Sequence, residues 1–181
     1  MSKAIADLMN EHEAILAAIQ ILERMMAAMQ KVPSVNTKDI NDFLGFLKEF
    51  ADKCHHGKEE GFLFPAMVGA GIPDKGGPIG VMLAEHAQGR QLIRDMEGAL
   101  SAGVDRGKLA QAAGGYAALL RSHIQKENMI LFPMADRVLS EPQLEKLYEG
   151  FEEYEEKVIG HGRHEELHAM LKSLQEKYPV Q

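Results

Sequence analysis

The stretch His55-His56-Gly57-Lys58-Glu59-Glu60-Gly61-Phe62-Leu63-Phe64-Pro65 (HHGKEEGFLFP) recurs 68 residues later as HIQKENMILFP, residues 123–133. In both copies a histidine is followed at the third residue by lysine, at the fourth by glutamate, and then by Leu-Phe-Pro. An earlier dipeptide repeats as well: Glu11-His12 returns as Glu85-His86, 74 residues on. The repeating unit is therefore a pair of segments used twice. If both segments are helical, the fold is an α-hairpin duplicated into an up-down four-helix bundle with approximate two-fold symmetry.

Outward from this repeat the chain reads as helix nearly throughout. Alternating Val, Ile and Thr with hairpin dipeptides, the signature of strands, does not occur. A first helix is expected from about Ser2 to Gln30, stopping before Pro33. Asn36 or Thr37 can cap a second, running to about Val68, before the loop GAGIPDKGGP at residues 69–78. A third begins at Pro78 and ends by Ser101, and after the loop SAGVDRG Asp105 can cap a fourth reaching about Leu139. Ser140 and Gln143 resemble a capping box opening a fifth segment, which Gly160 and Gly162 break before a last helix from about Arg163 to Lys177. The expected organisation is an all-α bundle over residues 1–139, with a helical extension, residues 140–181, packing on it.

The apolar stripe of each helix carries ionisable groups inward. Ile5, Leu8, His12, Ile15, Ile19, Leu22, Met26 and Met29 mark the first helix; Ile79, Met82, His86, Gly89, Ile93, Met96 and Leu100 mark the third. Leu44, Leu47, Ala51, His55, Glu59, Phe62 and Ala66 mark the second; Ala112, Tyr116, Leu119, His123, Glu127, Ile130 and Met134 mark the fourth. A single histidine on such a stripe is ordinarily a satisfied core residue. Six acids and imidazoles in a repeated pattern would require the same accident twice.

Residues four apart on a helix share a face, about 6 Å apart along the axis. His55 with Glu59, and His123 with Glu127, can thus present an imidazole and a carboxylate to one point, with His12 and His86 reaching it at matching depth. Buried without a cation, each carboxylate carries a penalty of several kcal/mol, on the order of 2–7, or shifts its pKa. Two divalent ions bridged by carboxylates remove that penalty. Mixed nitrogen and oxygen ligation suits iron best, with manganese or zinc as alternatives.

Composition bounds the rest. The chain has 181 residues, 45% hydrophobic and 26% charged, enough for one domain with a real core. The net charge of −7 argues against a nucleic-acid or anionic-membrane surface. Residues 141–157 alone hold seven Glu and two Lys, a solvated helix face. No apolar run is long enough to span a bilayer, and the N-terminus meets Glu and His too early for a signal peptide. One cysteine, Cys54, excludes an internal disulfide and CxxC-type sites, and reads as a packing residue. The cytoplasm is the simplest compartment. Eleven methionines read as core filler.

Glu11-His12, HHGKEEGFLFP, Glu85-His86 and HIQKENMILFP together resemble the hemerythrin-like proteins, named for their His-His-Glu cation-binding motif. The resemblance covers roughly residues 5 to 139. It implies a non-haem di-iron centre with His12, His55, Glu59, His86, His123 and Glu127 as ligands, binding dioxygen, nitric oxide or peroxide, or serving as a sensor or iron handler. Oxygen carriers of the family place a second histidine on the third helix, one turn on. Here Arg90 stands there, so a fifth histidine is missing from the bundle. Iron–sulfur repair proteins of similar pattern carry an N-terminal cysteine motif that this chain lacks.

The extension offers a replacement. His164 and His168 share one face, and the Gly160-His161-Gly162 break could fold their helix back on the bundle; the alternative is a surface helix docked by Leu167 and Leu171. His56 and Glu60 form a second His-x3-Glu register rotated about 100° from the first, and because residue 128 opposite Glu60 is Asn they are expected outside the ligand set or at the surface. Tyr116 is expected in the core, within reach of the metal pocket.

Two functional classes follow. In one, the centre binds O2 or NO reversibly for storage, sensing or detoxification, in an apolar pocket lined by Phe62, Ile130 and Leu119. In the other it is a di-iron enzyme that decomposes peroxide or reduces NO. O2, NO or peroxide is then the expected small partner, with no nucleic acid, no membrane, and no protein partner read from the sequence. His164-Glu165-Glu166-Leu167-His168 also matches HExxH, the helix of zinc hydrolases, but a third ligand and a sheet edge are missing. A ferritin-like site needs two Glu-x-x-His motifs, and only Glu165-x-x-His168 fits.

Overall fold

The computed structural model describes residues 1–31, 36–101 and 103–179. Among them are six helices and no strand. Helix α1 is Lys3–Lys31, α2 covers residues 37–69, α3 is Pro78–Ser101, α4 covers residues 106–138, α5 is Glu141–Val158 and α6 is Arg163–Lys177. Pro33, expected to stop α1, and Ala102, in the loop after α3, lie outside the described residues. No helix among the described residues is long and apolar enough to cross a membrane.

The helix starts follow from the capping chemistry. Asn36 Oδ1 accepts from the Asp39 N–H at 3.3 Å, and Asp105 Oδ1 from the Lys108 N–H at 3.0 Å. Gln143 Oε1 accepts from both the backbone N–H (2.9 Å) and the hydroxyl (2.7 Å) of Ser140. Between α5 and α6, Gly160 and Gly162 take φ of 93° and 76°, left-handed values that side-chain-bearing residues rarely adopt, and the chain reverses there.

Helices α1 to α4 form an up-and-down four-helix bundle, with α3 packed along α4 and α1 along α4. Its interior is divided into three layers. One apolar block gathers Ile15, Ile19 and Leu22 of α1 with Phe43, Phe46 and Phe50 of α2 and Tyr116 and Leu120 of α4. A second gathers Ile5 and Leu8 with Leu63, Phe64, Met82, Leu131 and Phe132. Between them lies a polar layer of His12, His55, His56, Glu59, His86, His123 and Glu127, all buried.

The stripes of α1 and α3 are buried as expected, except that Ala99 replaces Leu100 at the end of α3. Those of α2 and α4 depart from expectation after each glutamate, and α4 also buries Leu120 in place of the half-buried Leu119. The Phe64 N–H bonds back five residues to the Glu59 carbonyl, and the Phe132 N–H to the Glu127 carbonyl. Such π turns insert one residue and advance everything downstream by one position. Leu63, Phe64 and Met67 are buried in place of Phe62 and Ala66, and Leu131, Phe132 and Ala135 in place of Ile130 and Met134. The expected apolar pocket of Phe62, Ile130 and Leu119 is therefore not formed. Ile130 is 54% exposed, and Phe62 turns outward onto Phe151 and Tyr154 of α5.

Helices α5 and α6 lie against α1 and α2. Leu144, Leu147 and Phe151 enter the second apolar block; Leu167, Leu171 and Leu174 enter the first. Each such side chain contributes about 1.5–3 kcal/mol of burial. Polar contacts fix the far end, where the Tyr178 hydroxyl donates to Asp39 Oδ2 at 2.5 Å and Arg163 Nε to Glu49 Oε2 at 2.9 Å.

Candidate metal centre

The polar layer is ordered by its outward hydrogen bonds. His55 Nδ1 lies 2.8 Å from Glu11 Oε2, His123 Nδ1 3.0 Å from Glu85 Oε2, His86 Nδ1 2.7 Å from Glu60 Oε1, and His12 Nδ1 2.8 Å from Asn128 Oδ1. A carboxylate or an amide oxygen only accepts, so each Nδ1 carries a proton, and each Nε2 faces inward. This is the arrangement found behind metal-bound histidines, where an outer acceptor fixes the tautomer. The two halves repeat it. Glu11 is held in turn by Lys58 Nζ (2.9 Å), and Glu85 by Lys126. Glu60 and Asn128, equivalent positions in the repeat, serve His86 and His12 respectively.

Inside this shell the donors fall into two groups of four. His12, His55, Glu59 and Glu127 present ligand atoms within 4.8 Å of one another, and so do His56, Glu59, His86 and His123. Glu59 belongs to both, with Oε1 3.6 Å from His55 Nε2 and Oε2 3.3 Å from His86 Nε2. Glu127 Oε2 is 3.2 Å from both His12 Nε2 and His123 Nε2. The Nε2 atoms of His12, His55 and His56 and all four oxygens of Glu59 and Glu127 are buried without a hydrogen-bond partner. So many orphaned donor atoms converging in an apolar surround are costly unless a cation satisfies them. Their chemistry, imidazole with carboxylate, fits divalent first-row metals.

Charge follows the same pattern. Burial opposes ionisation of Glu127, but His12 and His123 outweigh it and hold its pKa well below the carboxylate range. Burial also opposes Glu11, which His55 and Lys58 bring down to about 2. His86 resists burial because Glu59 and Glu60 raise it to about 9, and His12 is raised by Glu127 and Glu59. His56 goes the other way. Burial, together with His86, His55 and His123 around it, drives its pKa well below the usual imidazole value. It is neutral at physiological pH, with a free lone pair on Nε2.

The structure brings together all six residues singled out on the two sequence repeats. It adds His56, expected outside the set, which is only 4% exposed and stacks on His86 with ring centroids 3.8 Å apart. His164 and His168 join neither group. His164 stacks on Phe50 at 5.4 Å and lies 3.6 Å from Glu155, and His168 is edge-on to Phe50. Arg90, at the position of the absent α3 histidine, ties down the outer acceptors, with Nε 2.7 Å from Asp52 Oδ1 and Nη2 2.7 Å from Glu60 Oε1. Asp52 is the neighbour of His56 Nδ1, at 3.4 Å. Tyr116 packs over Gly89 in the adjoining apolar block, and the buried Cys54 thiol is pushed up by burial and by Glu11, so it stays protonated.

A helical bundle whose interior collects imidazoles and carboxylates around shared acids is a metal-binding bundle. Residues 3–135 match the hemerythrin HHE cation binding domain, and the chain belongs to that family, whose domain binds metal cations. Uncharacterized proteins of Mycobacterium tuberculosis and Mycobacterium bovis are each 25% identical over 160 residues, covering 85% of this chain. The chain spans 62% of the length of these relatives. No solved structure matches it.

Proposed function

We propose that this centre holds two iron ions sharing Glu59 and binds a diatomic ligand, O2 or NO, reversibly. The observation that carries the reading is the division of seven buried donors into two overlapping groups with one carboxylate in common. Two ferrous ions would supply the electrons that reversible oxygen binding requires. The chain's own residues do the rest. His56, His86 and His123 would complete one position, and His12, His55 and Glu127 the other. The latter offers one imidazole fewer and so leaves more room for an incoming ligand. Phe132, stacked on His12 at 5.2 Å, and Phe64, stacked on His86 at 5.9 Å, keep water from the donors.

Binding is favoured over turnover by the proton inventory. The Nδ1 protons of His12, His55, His86 and His123 are each engaged by an outward acceptor, so the outer side of these rings supplies no proton to the centre. The HExxH reading gains no support, because His164 and His168 belong to no group of three donors among the described residues.

Anaerobic reconstitution with ferrous iron, metal analysis and absorption spectroscopy test this. Two irons per chain and a ligand-to-metal band that reverses under vacuum are expected. Steady oxygen release from added peroxide would replace binding with turnover, and a chain that takes up no iron would end the proposal. In the same assay His56→Ala should lose one iron, whereas His164→Ala and His168→Ala should keep both.

A further inference from the structure

Neighbouring residues on an α-helix diverge by about 100°, so His55 and His56 should not both face one centre. They do, and both lie at the end of a π-helical segment, residues 47–56. A turn closed over five residues rather than four advances fewer degrees per residue, so along the segment the rotation lags and His56 falls back toward the interior side. At its end the Gly57 N–H reaches the carbonyls of Asp52 and Cys54, passing over Lys53. The carbonyl it passes over has a different partner: the Tyr154 hydroxyl of α5 donates to the Lys53 oxygen at 3.0 Å.

We propose that Tyr154 is a positioning residue for His56, holding open the wide turn that carries this imidazole into the centre. The proposal rests on the two-ion reading above. Two further observations support it. Gly57 leaves the space Tyr154 occupies, since a Cβ there would lie 2.2 Å from the hydroxyl oxygen. The second half of the repeat also provides an internal comparison. There the helix preceding Glu127 is α-helical from Arg106 through Lys126, Gln125 stands where Gly57 does, and Arg121, at the place of Lys53, pairs with Glu23. At the place of His56 that half has Ile124, which is buried as well but lies in the apolar block and not among the donors. The wide turn around the histidine, the glycine, the tyrosine contact and the additional imidazole occur together in one half and are all absent from the other. Tyr154 belongs to the extension, outside the residues that match the family.

The test uses the full-length, metal-free chain titrated with cobalt(II), followed by calorimetry and visible absorption, with thermal unfolding of the same samples. Wild type should take two equivalents. Tyr154→Phe, which keeps the ring and removes only the hydroxyl, should bind the first equivalent as wild type does and the second about 10–100-fold more weakly, the usual effect of losing an outer-shell partner. Its metal-free unfolding midpoint should stay close to wild type. Gly57→Ala, which would displace the hydroxyl, should give the same split, and the double variant should lose no more than either single one. Two equivalents at unchanged affinity in Tyr154→Phe would overturn the positioning role and leave the two-ion reading intact. Equal weakening of both equivalents with a lowered midpoint would reduce Tyr154 to general packing and also overturn it. Wild type that fails to take two equivalents would defeat the two-ion reading and this proposal with it.

Discussion

Replacing Glu59 by alanine is expected to strip both ions from the centre while leaving the helical content of the metal-free chain intact. Glu59 is the one side chain common to the two donor groups, fully buried, with its two oxygens facing His55 on one side and His86 on the other. Losing an outer-shell partner alone weakens a metal by about 10–100-fold, and removing a shared first ligand should exceed that at both positions. The measurement is metal content after dialysis against a mild chelator, with circular dichroism to confirm folding. A Glu59→Ala protein that retained two ions would show that the carboxylate is not shared.

The second large effect is on stability. Lys58 is 0% exposed, and its ammonium contacts Asp7 (3.1 Å), Glu11 (2.9 Å) and Glu155 (2.8 Å). Burial favours its neutral form, but Glu11, Asp7 and Glu155 prevail and keep it charged. Lys58→Met would leave Glu11 buried beside an apolar chain, and an uncompensated buried charge costs about 3–5 kcal/mol. For a domain of this size that corresponds to a fall in Tm of roughly 6–20 °C. Its counterpart in the repeat, Lys126, is one-third exposed against Glu85, so Lys126→Met should cost no more than about 1 kcal/mol. Thermal unfolding of the two metal-free variants side by side decides the matter, and equal losses would mean that burial of Lys58 is energetically irrelevant.

The repeat alone made the bundle legible, because hairpins built from 3.6-residue stripes leave few other ways to bury four apolar faces. The inward convergence of the six histidines and glutamates on those stripes was equally readable. His56 was not, for a physical reason. A regular helix puts it about 100° off the ligand face, and a π turn leaves no composition signature. The isolated Gly57 inside a helical run was the available clue, since such a glycine often marks a close approach by another element. The Glu60/Asn128 mismatch was informative for Glu60, which lies outside both donor groups. Glu60 and Asn128 do the same outer task, each accepting from the Nδ1 of a histidine on another helix. The fold-back of the extension was readable from Gly160 and Gly162, yet it seats the two histidines of α6 on Phe50 of α2, outside both donor groups. Phe62 and Ile130 were misplaced through the same π turns that follow each glutamate.

The acceptors around Lys58 come from segments far apart in sequence, Asp7 and Glu11 of α1 and Glu155 of α5, 97 residues after the lysine. On a ribosome the bundle's four helices emerge before the last of these partners has been made. Without α5 that ammonium lacks one of its three carboxylates, so the dry waist between the two oily lobes is completed only by a segment outside the bundle.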